Sequence, residues 1–292
     1  MLLLIVFTYV VWGGSFVSTK VALTAVAPFW LGAVRMAFTT LTFLVWGLAH
    51  PGTIRPREKE LFLLLFNGFL AVLIMGFFNI GVQYTTASRS AIFMNTNPFF
   101  IAFFAHFFLV GDRLNWQKLI GLVLAFSGVA AVFAGKEDLA GGSLAGDLMV
   151  MLSAIVLASQ FIVMKKMLVT QDPARLMFWM GSTSLALFAG TGALIEPFPV
   201  QVSSLWVVVS LLYLGLVISG FCFFVQISLL KRFSPNLVGS FSFIMPVSGV
   251  TSSLLLLKEP LTWGLMVGAV LVAIGIFVVN YRAKFSTGPV AG

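Results

Sequence analysis

Charge is so scarce in this chain that each ionisable group inside an apolar run can be weighed singly. Of 292 residues, 9% are charged and 60% hydrophobic. Arg35 stands seven residues after Pro28, about 10 Å along a helix at 1.5 Å per residue. A guanidinium near mid-bilayer costs about 2.5–3.5 kcal/mol on insertion scales, so it must face protein or water. It reads either as an attractor of a carboxylate at an outer vestibule or as a donor to carbonyls of a neighbouring helix. Lys20, about 9 Å from the end of its own run, reads as a second vestibule charge or as a side chain snorkelling to the interface. Together, Lys20 and Arg35 form the candidate charged vestibule.

The acidic residues are Glu58, Glu60, Asp112, Glu137, Asp138, Asp147, Asp172, Glu196 and Glu259, all expected near helix ends. An intramembrane carboxylate is the usual carrier of a coupling proton or sodium ion. With none at the midplane, facilitated diffusion or exchange is expected rather than carboxylate-based antiport. His106 is the one imidazole inside a span and reads as titratable or as a packing histidine. Nothing points to a catalyst: Gly141-Gly142 lacks the Lys-Ser/Thr of a phosphate loop. The serines have no evident His–Asp partners, and the single Cys222 excludes a disulfide framework or a Cys-rich metal site. No catalytic residue, metal or cofactor is expected.

Uncharged polar groups deep in apolar runs are the remaining means of holding a solute. Asn79 and Gln83 are i and i+4, with Met75 one turn earlier, so they share a helix face. Asn95 and Asn97 precede Pro98, where freed carbonyls can also face a cavity. Gln160, Gln226 and Ser242 occupy similar depths in the second half, and Ser15 in the first. A buried amide binds zwitterionic or polar solutes, but it also bonds neighbouring helices, worth about 0.6–2 kcal/mol. Trp12, Phe78, Tyr84, Met94, Phe99, Trp179 and Met245 are the candidate apolar wall, with lipid contact or packing the alternative for each. Trp30, Trp46, Trp116, Trp206 and Trp263 fall at helix ends and read as interfacial anchors.

The elements that must position these residues follow from hydropathy. A mean hydropathy of +1.08 lies far outside the globular range, and runs of about 20 apolar residues span hydrocarbon. Ten helices are expected over about 2–26, 28–49, 60–83, 88–110, 114–135, 143–167, 173–195, 203–230, 234–256 and 261–282. Pro28, Pro173 and Pro260 sit near helix starts. Pro98 and Pro246 lie inside the fourth and ninth helices, where kinks or unwinding are expected and hinges are proposed. Short loops predict antiparallel sequential neighbours. Gly264/Gly268 and Gly121/Ala125/Gly128 predict close helix approach. Residues 2–19 lack a basic leader and run into another hydrophobic hairpin, so no cleavable signal peptide is expected.

The chain is written twice. Gly76 pairs with Gly220, Pro98 with Pro246, Leu114-x-Trp116 with Leu261-x-Trp263, Gly121 with Gly268, and Gly128 with Gly275. Earlier, Ser15 lies over Gln160, Lys20 over Lys165 and Pro28 over Pro173. The expected halves are 1–139 and 140–292, five helices each. Arg55, Arg57, Lys59, Arg113, Lys118, Lys165, Lys166, Arg175, Lys231, Arg232, Arg282 and Lys284 fall on one side and Lys20, Arg89, Lys136 and Lys258 on the other. The positive-inside rule therefore places both termini in the cytoplasm. Because five is odd, the second repeat is inverted, the architecture used for alternating access around a central site. The net charge of +8 is dispersed over loops, so no nucleic-acid partner is expected.

These residues resemble the drug/metabolite transporter superfamily, in its ten-helix EamA-type branch. The resemblance is carried by WGGSFVSTKVAL from Trp12, the segment with Pro28 and Arg35, and QYTTASRSAIFMNTNPFF from Gln83. GDRLNWQKLIGLVLAFSGV from Gly111, LVGSFSFIMPV from Leu237 and LLKEPLTWGLMVGAVLVAIGI from Leu256 complete it. Asp112 departs from the usual Glu; Glu259 does not. The resemblance implies an inner-membrane, multi-pass carrier of small organic solutes, most similar to bacterial exporters of aromatic and other amino acids. The alternatives are an exporter of drugs, proton-coupled multidrug type, or of other small metabolites, then a membrane enzyme or channel. The expected partners are amino acids or related amphipathic solutes and the lipid bilayer.

Overall fold

A computed structural model describes residues 2–57, 60–108, 115–134, 143–197, 204–232 and 241–280. Its elements are α1 (Leu2–Gly13), α2 (Ser15–Ala22), α3 (Pro28–Ala49), α4 (Leu61–Tyr84), α5 (Ala87–Met94), α6 (Asn97–Phe108) and α7 (Trp116–Ala134). There follow α8 (Leu144–Met167), α9 (Pro173–Ile195), α10 (Leu205–Leu212), a π-helical segment (Tyr213–Cys222), α11 (Phe223–Arg232), α12 (Ile244–Leu256) and α13 (Trp263–Asn280). Eight helical runs are long and apolar enough to cross a membrane, and Ile244–Leu256 and Trp263–Val279 are shorter apolar helices. The protein is thus a multi-pass membrane protein, all-helical among the described residues. Asp112, Glu58, Glu137, Asp138 and the Gly141-Gly142 pair lie outside the described residues.

Helix starts follow local chemistry. Pro28 and Pro173 are first-turn residues of α3 and α9, where a missing N–H costs nothing. Asp172, Ser143 and Thr86 accept hydrogen bonds from first-turn amides of α9, α8 and α5, as N-caps do. The expected interruption near Pro98 is a break at Asn95–Thr96, with Pro98 in the first turn of α6. Asn95 Nδ2 donates to Ala91 O at 2.7 Å and Thr96 Oγ1 to Phe93 O at 2.6 Å. Such side-chain bonds to the preceding turn compete with the helix ladder. Pro246 is the third residue of α12.

The eighth run departs from the expected single α-helix: its middle ten residues are π-helical. Gly215 lies against Phe38, where an added Cβ would be 2.3 Å from the ring, and Gly220 lies beside Thr42. The first run is likewise interrupted at Gly14. A Cβ on Gly13 would fall 1.9 Å from Ser248 Oγ and one on Gly14 2.7 Å from the Tyr213 hydroxyl, so α12 and the π segment pass directly over this glycine pair.

The expected contacts between sequential helices are present for α3 with α4 and α12 with α13, but they are not the most intimate ones. The most intimate pairs are α7 with α13, α3 with α9 and α4 with α8, followed by α4 with α9 and α1 with α12. Lipid tails are as apolar as leucine, so helices select partners by close packing rather than by hydrophobicity. The small residues decide it. A Cβ on Gly121 would lie 2.8 Å from Gly275 O, and one on Gly275 2.8 Å from Gly121 O; Gly128 and Gly268 meet in the same reciprocal way at 2.9 Å. The α7 and α13 helices therefore cross antiparallel, backbone against backbone. Gly81 and Gly146 do the same between α4 and α8.

Candidate functional site

The end of the bundle carrying Pro28 is laced together by polar contacts between distant helices. Glu196, after α9, accepts from the Phe29 amide at 2.9 Å and the Trp30 amide at 3.1 Å. Its carboxylate therefore sits on the positive end of α3. Glu259 does the same for α5, accepting from the Ala87 amide at 2.8 Å, the Ser88 amide at 3.0 Å and the Ser88 hydroxyl. Lys258 takes a left-handed conformation, φ 53°, that turns the chain between α12 and Glu259. Lys20 Nζ donates to Val82 O at 2.8 Å, Gln83 O at 3.1 Å and Thr85 O at 2.5 Å, closing the carbonyl end of α4. Asp147, fully buried in the first turn of α8, pairs with Arg89 of α5 and accepts from Thr85 Oγ1 at 2.5 Å. At the opposite end Arg175 bonds Glu60 Oε2 at 2.9 Å and Thr53 O at 3.1 Å.

Each acidic residue among the described ones, namely Glu60, Asp147, Asp172, Glu196 and Glu259, is thus engaged by an arginine or by amides at a helix start. They lie at helix ends. Among the described residues, no group of three or more His, Cys, Asp or Glu could hold a metal ion.

The candidate wall residues do not form one surface. Phe78, Met94 and Phe99 pack in the largest core group with Phe16 and Phe93. Trp12 packs against the π segment and meets Phe223 edge-to-face at 5.3 Å. Met75 joins Ala33, Met36 and Phe188, and Met245 packs on Tyr9 and Val225. Trp179 lies beside Leu64 and Met167, its indole donating to Ile54 O at 3.0 Å, which pins the loop after α3. Tyr84 and Gln83 are exposed, whereas Asn79, on the same α4 face, is fully buried and donates to Pro28 O at 2.9 Å. Gln160 donates to Asn67 O at 3.0 Å. Ser15 is buried on α2, and Ser242 lies in the turn before α12. Trp116, Trp206 and Trp263 are exposed at helix starts, as interfacial anchors are.

Polar atoms that are buried but left without hydrogen-bond partners pick out where a ligand or water is needed. They include Thr19 Oγ1, Arg35 Nε, both side-chain polar atoms of Asn67, Asn79 Oδ1, Ser219 Oγ and Gln226 Oε1. Arg35 stands apart because it is charged. It is 6% exposed, and its Nε has no hydrogen-bond partner among the described residues. Leaving one buried charge uncompensated costs about 3–5 kcal/mol where this has been measured by removing a partner. Thr19 and Ser219 were not among the residues singled out in the sequence, since hydroxyls are common in membrane helices and bond their own carbonyls. The Arg89–Asp147 pair was equally hidden. Its only local sign is that each residue is the lone charge in the first turn of its helix.

A transporter of Archaeoglobus fulgidus described as uncharacterized is 25% identical over 96% of this chain and 97% of its own. A probable amino-acid metabolite efflux pump of Escherichia coli is 26% identical, covering 92% of this chain and 91% of its own. A counterpart of the same description in Salmonella typhimurium matches equally. A crystal structure superposes with a TM-score of 0.71 at 19% identity, over 96% of this chain and 98% of that one; the likeness is one of fold. The family model of EamA-like transporters matches residues 1–134 and 144–281. The chain belongs to the EamA-like transporter family.

Proposed function

We propose that this protein exports amino acids, aromatic and hydrophobic ones included, across the inner membrane by alternating access through a central cavity. The observation that carries alternating access is the crossing of α7 and α13. Gly121 and Gly268 are repeat equivalents, as are Gly128 and Gly275, yet Gly121 meets Gly275 and Gly128 meets Gly268. In such an isologous contact residue i meets j of the partner and j meets i. An antiparallel contact of this kind supports two inverted repeats, residues 1–139 and 140–292. Counting α1–α2, α5–α6 and α10–α11 each as one transmembrane helix gives ten, five per repeat. With both termini in the cytoplasm by the positive-inside rule, the Pro28 end is the outer one.

Amino acids are the proposed substrates because relatives covering nearly the whole chain are described as probable amino-acid metabolite efflux pumps. The engaged state of the described carboxylates supports facilitated diffusion or exchange. The break beside Pro98 and the turn at 241–243 before Pro246 are the proposed hinges. The polar groups of the upper bundle, Ser15, Asn79 and Arg35 among them, are the proposed substrate contacts.

The test is counterflow in proteoliposomes. Liposomes preloaded with unlabelled phenylalanine should accumulate labelled phenylalanine transiently, and flux should saturate. A reconstituted, monodisperse protein that moves no amino acid, but moves amphipathic cations, would replace this reading with the drug-exporter alternative.

A further inference from the structure

The corner between α4 and α5 is held from three directions, and the holds differ in kind. From α8, Asp147 pairs with Arg89 and accepts from Thr85 Oγ1, and the Ser143 amide donates to Tyr84 O at 2.8 Å. Just below, Gly81 and Gly146 bring the backbones of α4 and α8 together. The Arg89 and Asp147 side chains are 6% and 0% exposed, so parting them would strand a charge in a dry setting. The corner and α8 therefore form one block.

The other two holds are releasable. Lys20 of α2 donates to Val82 O, Gln83 O and Thr85 O, and Glu259 accepts from the Ala87 and Ser88 amides. Lys20 and Glu259 are only half-buried, and both serve helix-end groups that water can serve instead. They also ride on elements packed together. An added Cβ on Gly13 of α1 would lie 2.8 Å from the Gly249 amide of α12, so those backbones touch. Beneath the two holds the facing surfaces are apolar. Phe16 of α2 meets Phe78 of α4 edge-to-face at 5.9 Å, and an added Cβ on Gly249 would lie 2.6 Å from Ala91 Cβ of α5. Lys258, which presents Glu259, has φ 53°, a conformation costly for any residue but glycine. Strain of this sort gathers at clamps and switch regions.

We infer that Lys20 and Glu259 are the releasable latch of the outer end. Outward opening then parts α1, α2 and α12 from the block of α4, α5 and α8, while the Arg89–Asp147 pair stays closed. This rests on the alternating-access reading above and deepens it by assigning the outer gate.

The experiment places a cysteine beneath each hold in a Cys222→Ala chain: Phe16→Cys, one turn from Lys20, or Ala91→Cys, one turn from Ala87. Labelling by a membrane-impermeant methanethiosulfonate is timed on intact cells, and either probe suffices if the other does not fold. Expected is slow labelling, accelerated about 10- to 100-fold by Lys20→Met and by Glu259→Ala, the scale of losing a hydrogen bond to a charged group. Asp172→Ala, which strips a helix cap at the opposite end, should leave the rate unchanged. A rate that either latch change leaves unmoved overturns the inference. So does an equal rise from Asp172→Ala, which would mean general loosening. Latch-dependent labelling confined to inside-out vesicles would spare the latch and sink the placing of the Pro28 end outside. Latch-dependent labelling in a chain without amino-acid counterflow would spare it and sink the export reading.

Discussion

Removing the charge of Asp147 should be among the most damaging single changes in the protein. Its carboxylate is fully buried and receives Arg89 Nε at 3.1 and 3.2 Å, Arg89 Nη2, and Thr85 Oγ1 at 2.5 Å. Arg89 itself is 6% exposed at the side chain, so it cannot turn to water when its partner goes. Breaking one side of such a pair costs about 3–5 kcal/mol. Asp147→Asn keeps acceptors for Thr85 and for one guanidinium nitrogen and falls at the lower end, about 3 kcal/mol. Arg89→Met leaves a bare buried carboxylate and falls at the upper end. The pair Arg89→Met/Asp147→Asn removes both charges, keeps an acceptor for the Thr85 hydroxyl and strands only the new amide N–H, worth about 1–3 kcal/mol. The singles should therefore sum to more than twice the double. Unfolding in mixed micelles titrated with sodium dodecyl sulfate, followed by tryptophan fluorescence, measures all three. Additive single changes, or an Asp147→Asn cost below about 1 kcal/mol, would refute the claim that these charges depend on each other.

Gly128→Val should destabilise by at least about 1–3 kcal/mol, because its Cβ would already sit 2.9 Å from the Gly268 carbonyl, which is backbone and cannot step aside; the same micelle titration reads it. Glu259→Ala should cost about 1–2 kcal/mol by freeing the Ala87 and Ser88 amides, and Glu259→Gln, which keeps one acceptor, should cost less. Cys222 is fully buried, so N-ethylmaleimide should label it slowly in the folded protein and rapidly after denaturation, as mass spectrometry would report.

Much was legible in the linear pattern because the bilayer imposes it. Hydrocarbon demands long apolar helices, so α3 and α9 fall on their expected bounds, set by Pro28 and Pro173 at the first turn. The proposed duplication was read from glycine and proline, because those residues constrain backbone wherever they stand. Asn95 and Thr96 broke the fourth run beside Pro98 for a local reason, the capture of nearby carbonyls. The π segment was not legible: YLGLVISGFC reads as ordinary apolar helix, and its winding accompanies the close passage of Phe38 and Thr42, which are far away in the chain.

The candidate site divides the same way. Residue type and depth alone marked Arg35, Asn79 and Lys20 as polar groups in an apolar setting. Only the folded bundle decided their fates. Lys20 closes the carbonyl end of α4, Asn79 holds Pro28, and Arg35 is buried with its Nε unpartnered among the described residues. Depth along one helix is a local quantity, set by counting residues from a loop. Which atoms lie opposite is set by how helices from the two halves pack, and that depends on glycine contacts some 150 residues apart in the chain, such as Gly121 against Gly275.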